Sequence, residues 1–234
     1  LINGRISRIR KEHQVEKQLF ELERKALRLQ INPHFIFNTL NSIQNYILEH
    51  NKTSAISYLN KFSKMMRQVL YNSDKTFVPL SDEISLIKNY IELERLRFDS
   101  QFDYSFYVPD ELEEDFVSIP PMLIQPHVEN AILHGLVNLN HKKGKLNIRF
   151  ENHSHETIQC TVDDNGIGRD ASAALKAQSR NKHKSRGISI TEERLERINN
   201  FYSKKLSVTF EDKFDNNGNS TGTKVIMIIP VENI

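Results

Sequence analysis

The sequence predicts an α+β protein, with an N-terminal helical hairpin that forms a dimeric four-helix bundle, followed by an α/β sandwich. The first observation is an apolar heptad repeat in the first 50 or so residues. The second is another amphipathic helical pattern directly after a short polar turn. The third is a change, after about residue 100, to alternating strand and helix signals. We therefore expect a helical domain at residues 1–75, a connecting helix at 76–100 and a sandwich domain at 101–234.

The heptad repeat defines the first predicted helix. Its apolar residues recur at alternating steps of four and three, the spacing that buries a narrow stripe against a partner helix. Pro33 lies in this stripe, where a proline removes a backbone hydrogen bond at a cost of roughly 3 kcal/mol. His34 follows it, so His34 is rotated by about 100° and faces outward. The stripe consists of Val15, Leu19, Leu22, Ala26, Leu29, Pro33, Ile36, Leu40, Ile43 and Ile47.

Two more helices are expected before residue 100. The second helix covers residues 54–71, after a turn at 51–53. The third follows residues 79–83, which have the features of an N-cap with acidic first-turn residues, and runs to about Phe98. Because a lone hairpin leaves apolar surface uncovered, dimerisation is the economical solution. The predicted apolar face of the second helix comprises Ala55, Tyr58, Leu59, Phe62, Met65, Met66, Val69 and Leu70.

The remaining residues predict a mixed sheet with helices on one face. Adjacent strands joined by hairpins, with few helices between them, are typical of such a sandwich. The predicted strands are 102–108, 145–150, 157–162, 206–211 and 224–230. The predicted helices run from Pro120 and Pro121 to about Val137, over 171–176 and over 188–202, with a basic loop at 182–186 and a hairpin turn at 215–219.

Composition and charge exclude several classes of function. A net charge of +2 gives no basic excess, so direct binding of nucleic acid is not expected. The single cysteine, Cys160, excludes an internal disulfide and fits a reducing compartment. The longest clean apolar run near the C-terminus, residues 225–229, is too short to span a bilayer. The chain is helix-like from its first residues, so we expect it to continue a longer protein, and this part of it to be soluble.

Four short stretches of the second domain carry chemistry. Residues 129–135 offer an Asn carbonyl that suits Mg²⁺, a hard cation that prefers oxygen. Residues 164–168 place a carboxylate at a strand end, beside glycines that let a ligand approach the backbone. Residues 185–188 open a helix whose free N–H groups suit phosphate. Residues 222–225 open the last strand. Each stretch is common by itself, and what counts is their order and spacing.

Together with the sequence Asn-Pro-His-Phe-Ile-Phe-Asn at residues 32–38, these stretches make the chain resemble the LytS-like sensor histidine kinases. That resemblance implies a phosphoacceptor helix joined to a Bergerat-type (GHKL) domain that binds ATP and Mg²⁺. It implies catalytic roles for His34, the phosphoacceptor, and Asn38, and a metal site at Asn130 and Glu129. By position, the nucleotide-binding residues would be Asn130, His134, Asp164, Gly166, Gly168, Lys184, Arg186, Gly187, Gly222 and Thr223.

The resemblance also implies a function in a two-component system. Autophosphorylation on His34 would be followed by transfer of the phosphoryl group to an aspartate of a response-regulator receiver domain. The kinase would act as a homodimer, and the chain would be the cytoplasmic portion of a bacterial inner-membrane protein with an upstream sensor segment.

Three departures from the family pattern bear on this function. Leu133 occupies the usual lysine position of the first stretch, and the third stretch lacks one glycine and an asparagine. Phe35 follows the histidine where many histidine kinases have an acidic residue, so no general base is identified. Two alternatives are a GHKL ATPase that uses Glu129 as its base, without phosphotransfer, and a catalytically silent dimeric scaffold.

Overall fold

The computed structural model describes residues 33–49, 51–73, 75–139, 142–178 and 206–233. The chain divides into two compact units, Leu1–Leu59 and Asn60–Ile234. Three predicted features lie outside the described residues: the first half of the heptad helix, the basic loop at 182–186 and the helix at 188–202. Among the helices that are described, none has the length and apolar character needed to cross a membrane. The domain boundaries expected at residues 75 and 100 remain predictions.

A helical hairpin opens the described chain. Helix α1 (Pro33–Leu48) is followed by α2 (Lys52–Ser73). The Asn51 side chain accepts a hydrogen bond from the Ser54 N–H at 3.1 Å and so caps α2. In the first unit, the rings of Tyr46 and Tyr58 pack at a centroid distance of 5.9 Å. The predicted second helix is therefore confirmed, with two further residues at each end.

The heptad stripe of α1 is not the face that is buried. Phe35 and Thr39 are only 6% and 1% exposed, whereas the stripe residues Leu40 and Ile47 are 50% and 58% exposed. The stripe therefore stays largely uncovered. The predicted apolar face of α2 is confirmed in part: Ala55, Tyr58, Met65 and Val69 are buried, while Leu59 and Leu70 are exposed.

Helix α3 (Leu80–Arg97) follows the short strand β1 (Val78–Pro79). Its first turn carries Asp82 and Glu83, as predicted, but its N-cap residue is Pro79, and no side chain among the described residues caps it. The predicted side-chain cap is therefore wrong. In the second unit, the Gln68 side chain donates to the backbone oxygen of Asp82 at 2.8 Å and thereby ties α2 to the start of α3.

A five-stranded mixed sheet forms the centre of the second unit. Its strands are β2 (Phe102–Tyr107), β4 (Gly144–Ser154), β5 (Thr157–Asp164), β6 (Ser207–Phe214) and β7 (Ser220–Pro230). Their order in the sheet is β2-β4-β5-β7-β6. Strands β2 and β4 pair in parallel and the other neighbours are antiparallel, so the predicted mixed sheet is confirmed.

The two faces of this sheet differ in polarity. The residues on one face are apolar and buried, as alternation along the strands requires. The opposite face is lined by polar side chains such as Arg149, Gln159 and Lys224. The buried face comprises Leu146, Ile148, Phe150, Ile158, Cys160, Val162, Val225, Met227 and Ile229.

The segment after the double proline differs from its prediction. Residues Val117–Ile119 form strand β3, and helix α4 begins only at Gln125 and ends at Asn130. Met122 has a φ of +59°, which is incompatible with a right-handed helix, and its N–H donates to the buried carboxylate of Glu83 at 3.0 Å. A helix starting at Pro120 is therefore wrong.

Two smaller features complete the unit. Strand β3 pairs with β1 and with β8 (Glu232–Asn233) in a three-stranded sheet that the sequence did not predict. Helix α5 (Arg169–Gln178) follows β5 and extends the predicted helix at 171–176. A 3₁₀ turn (Asp110–Leu112) lies between β2 and β3.

Candidate functional site

The buried carboxylate of Asp164 lies at the end of β5 and is only 5% exposed. Its Oδ1 atom accepts hydrogen bonds from the N–H groups of Gly166 at 2.8 Å and Thr223 at 3.3 Å. Burial raises the pKa of Asp164 to about 6, although both hydrogen bonds oppose that rise. Among the described residues, both donors reach Oδ1, which leaves Oδ2 available to accept a hydrogen bond from a ligand.

The loop after Asp164 needs its glycines. A Cβ atom on Gly166 would lie 2.5 Å from the Gly135 Cα and 2.7 Å from the Asp164 Oδ1. Gly168 and Gly222 have φ angles of +79° and +124°, which side-chain-bearing residues rarely adopt. The backbone therefore closes tightly around Asp164, and only glycine fits at these positions.

The segment at 125–136 supplies the wall opposite this loop. The last turn of α4 carries Glu129 and Asn130, both half-buried, and the helix continues as a π-helical turn, Ala131–Leu136. His134 and Gly135 lie on that turn. Single π turns inside helices are frequent at functional sites, because the widened turn changes the direction of the side chains.

The oxygen atoms of Asn130 and Glu129 are the kind that Mg²⁺ prefers. Within the described ranges, no group of three or more His, Cys, Asp or Glu side chains could hold a metal ion. This donor set fits a cation that takes one or two protein ligands and completes its shell with phosphate oxygens and water, as Mg²⁺ commonly does.

Strand β7 brings the last predicted stretch to the same place. Gly222 and Thr223 pair across the sheet with Lys213 and Asp212 of β6, and the Thr223 N–H reaches Asp164. Three of the four predicted stretches therefore meet around one carboxylate. The residues expected from the remaining stretch, Lys184, Arg186 and Gly187, lie outside the described residues.

The motif at residues 32–38 belongs to the first unit. His34 lies in the first turn of the described part of α1, and the half-buried Asn38 follows one helical turn later. The Asn38 backbone oxygen accepts a hydrogen bond from the Ser42 hydroxyl at 3.0 Å. Phe35 is buried. The predicted histidine is thus carried by a regular helix.

Sequence reasoning missed two residues that shape the site. Gly135, although part of a recognised stretch, was given no role, yet its backbone is the surface against which Gly166 packs. Asn165 fixes the neighbouring loop, because its Oδ1 accepts the Lys145 N–H at 2.6 Å and its Nδ2 donates to the Lys143 oxygen at 3.2 Å. The available signal was the preference of Asn-Gly pairs for turns.

Comparison with known proteins finds relatives among the sensor histidine kinases. The family model described as "Histidine kinase" matches residues 22–102. The sensor protein LytS of Oceanobacillus iheyensis is 31% identical over 238 residues, covering 100% of this chain and 38% of the relative. The sensor histidine kinase YesM of Bacillus subtilis is 29% identical, covering 95% of this chain and 36% of the relative. The sensor histidine kinase/phosphatase LytS of Staphylococcus aureus is 29% identical, covering 92% of this chain and 35% of the relative.

The chain is LytS-like: it is similar to LytS and YesM sensor histidine kinases over nearly its whole length, and residues 22–102 match the histidine kinase family model. It spans less than two fifths of the length of these relatives. Among solved structures, the mycobacterial sensor histidine kinase MprB is similar with a TM-score of 0.45 and 12% identity, over 68% of this chain and 98% of that one. The catalytic domain of the histidine kinase ThkA gives a TM-score of 0.45 and 18% identity, over 66% of this chain and 94% of that one.

Proposed function

We propose that this chain is the cytoplasmic catalytic portion of a two-component sensor histidine kinase. It autophosphorylates on His34 with ATP and passes the phosphoryl group to an aspartate of a response-regulator receiver domain. The observation that carries this proposal is the meeting of Gly135, Gly166 and Thr223 around the buried Asp164, in a chain that also has the histidine motif on a helix.

In this proposal the second unit is a Bergerat-type ATP-binding domain. The Oδ2 atom of Asp164, which no donor among the described residues reaches, accepts a hydrogen bond from the adenine amino group. Gly166 and Gly168 keep the loop narrow enough for the base to lie against the backbone. His134, Gly222 and Thr223 complete the wall of the pocket. The family resemblance assigns the phosphate side of the nucleotide to Lys184, Arg186 and Gly187, which lie outside the described residues.

Asn130 and Glu129 would hold Mg²⁺ through their side-chain oxygens, with the phosphates of the nucleotide as further ligands. When bound, the cation neutralises phosphate charge and so favours displacement at the γ-phosphorus. Asn130 and Glu129 orient the phosphate chain. Leu133, which replaces the usual lysine, leaves more of this charge compensation to the metal site.

Phosphoryl transfer requires a neutral imidazole nitrogen at His34. The lone pair of that nitrogen attacks the γ-phosphorus, an N–P bond forms as the bond to the leaving oxygen breaks, and ADP departs. We assign Asn38, which follows one helical turn later, the role of orienting the imidazole. The phosphoramidate is then attacked by the carboxylate of the partner's aspartate, which releases a neutral histidine.

The dimeric four-helix bundle belongs to the same proposal. The stripe residues Leu40 and Ile47 are exposed within one chain, and a second α1 packed against them would bury this apolar surface. In the whole protein, an upstream sensor segment would anchor the kinase at a bacterial inner membrane and deliver the signal through the heptad helix.

The test is labelling with γ-labelled ATP and Mg²⁺. The wild-type chain should acquire an acid-labile label, and His34→Gln should abolish it while changing nucleotide affinity by less than about threefold. His155→Gln, which changes an exposed turn residue, is the matched control and should label normally. Undiminished labelling of His34→Gln would overturn the assignment, and ATP hydrolysis without any protein label would favour the ATPase alternative.

A further inference from the structure

Arg169 connects the loop after Asp164 to the edge strand β6. It is the first residue of α5 and directly follows Gly168. Its Nε donates to the Asp212 Oδ1 at 2.8 Å and its Nη2 donates to the Asp212 Oδ2 at 2.5 Å. This bidentate arrangement fixes orientation as well as distance, which a single hydrogen bond does not.

The guanidinium group is also supported from one side. Its central carbon lies 5.2 Å from the centroid of the Phe210 ring, within the range of a cation–π contact. Phe210 and Asp212 are two residues apart on β6, so both side chains lie on the same side of the strand. The Phe210 ring in turn packs against the ring of His127, at a centroid distance of 5.8 Å.

These contacts form a closed series of interactions around the loop at 164–168. Asp212 is the cross-strand partner of Thr223, whose N–H donates to Asp164. Asp164 begins the loop that ends at Gly168, and Arg169 returns from that loop to Asp212. Through its contact with Phe210, His127 also connects these residues to α4, the helix that carries Asn130. The Arg169–Asp212 pair therefore connects the end of the loop at 164–168 to the strand pair that holds its beginning at Asp164.

We propose that Arg169 and Asp212 are a positioning pair for the nucleotide, which holds the loop at 164–168 in the conformation that accepts adenine. The inference rests on the proposed function and adds two residues that none of the recognised stretches contains. Neither side chain is required to touch the nucleotide. Their effect is exerted through the loop, so it should appear in the affinity for every adenine nucleotide and not in the transfer step.

The experiment measures ADP and adenosine affinity by calorimetry, and autophosphorylation rates across ATP concentrations, with the full chain. Arg169→Ala and Asp212→Asn should each weaken both ligands roughly fivefold, as expected for losing one well-oriented ion pair. The KM for ATP should rise by the same factor, with kcat within about twofold of wild type. The double variant should be no weaker than either single variant, because both remove the same interaction. Asp212→Glu keeps the carboxylate and should recover most of the affinity.

Glu211→Gln is the matched control. Glu211 is next to Asp212 on β6 and forms its own ion pair with Lys224 at 3.2 Å, on the opposite face of the strand. Unchanged affinity in Arg169→Ala and Asp212→Asn, or an equal loss in Glu211→Gln, would overturn the positioning role. A wild-type chain that binds neither ligand would overturn the proposed function itself. A wild-type chain that binds and labels normally, with variants that do the same, would overturn only the positioning pair.

Discussion

Gly166 lies against the backbone of Gly135, so closely that a Cβ atom added to Gly166 would come within 2.5 Å of the Gly135 Cα. The obstacle is backbone on one side and the buried carboxylate of Asp164 on the other. Neither can move aside as a flexible side chain can. The contact therefore fixes the distance between the π-helical turn and the loop after Asp164.

Gly166→Ala should reduce adenine-nucleotide affinity by on the order of tenfold or more, because overpacking at a rigid site costs about 1–3 kcal/mol and displaces the loop. Titration calorimetry with ADP measures the effect. Gly218→Asn is the control. This turn residue has a φ of +78°, which Asn tolerates, and a Cβ atom added to it would meet no described residue within 4 Å other than its chain neighbours. Normal affinity in Gly166→Ala would show that the close contact does not shape the pocket.

Asp164→Asn should weaken nucleotide binding and yet stabilise the apo protein above pH 6. A hydrogen bond to a charged group contributes about 1.5–3 kcal/mol, which sets the expected loss of ATP affinity. The folded-state pKa of Asp164 is raised from 3.8 to about 6 by burial. Its contribution to stability is therefore fully present below pH 3.8 and is lost as the pH rises through 6.

Asp164→Asn lacks this titration, so its advantage in unfolding free energy over wild type should grow by about 2.5 kcal/mol between pH 4 and pH 7.5. Urea denaturation at both values measures it. Asp163→Asn is the control, because Asp163 is the next residue, forms an ion pair with Lys213 and projects from the other face of the sheet. If the unfolding free energies of Asp164→Asn and wild type differ by the same amount at both pH values, Asp164 is already charged or well solvated in the apo protein.

His127→Leu should make the protein less sensitive to acid. His127 is only 4% exposed, and within the described part of the chain neither ring nitrogen has a hydrogen-bond partner. Burial lowers the pKa of His127 from 6.5 to about 4, so its contribution to stability is present above pH 6.5 and is lost as the pH falls through 4.

Because leucine does not titrate, the difference in unfolding free energy between His127→Leu and wild type should increase by about 3 kcal/mol from pH 7.5 to pH 4. Denaturation with urea at several pH values tests this. His155→Asn, at an exposed turn position, should follow the wild-type curve. Parallel curves for wild type and His127→Leu would contradict the lowered pKa.

Local patterns predicted the mixed sheet, because alternating residues such as Leu146 and Asn147 record which side of the strand faces the core. They could not predict the start of α4. There the deciding contact joins Met122 to Glu83, 39 positions earlier in the sequence, and a buried carboxylate in α3 gave no local signal of its partner. The strand at Val117–Ile119 was missed for a related reason, since three residues carry too little periodicity.

In the candidate site, too, local patterns predicted some residues and missed those whose contacts are distant in the sequence. Asp164, Gly166 and Thr223 were predicted because each belongs to a short stretch of recognisable order, and the structure brings them together. Arg169 and Asp212 were not predicted, since their pairing depends on the register of β6 against β7, which no short motif records. The heptad stripe predicted a surface for a partner, whereas the buried residues of α1 are Phe35 and Thr39, which lie beside the stripe.

Pro33→Ala tests whether the proline beside His34 is a hinge. A proline within a helix costs roughly 3 kcal/mol, and the apolar stripe continues in register on both sides of it. Alanine restores the missing hydrogen bond and has a better helix propensity, so the melting temperature should rise. Autophosphorylation should become slower, because a stiffer helix less often bends His34 into a reactive position. Thermal unfolding and initial labelling rates measure the two effects, which must occur together. A variant that is more stable but phosphorylates at the normal rate would exclude a hinge at Pro33.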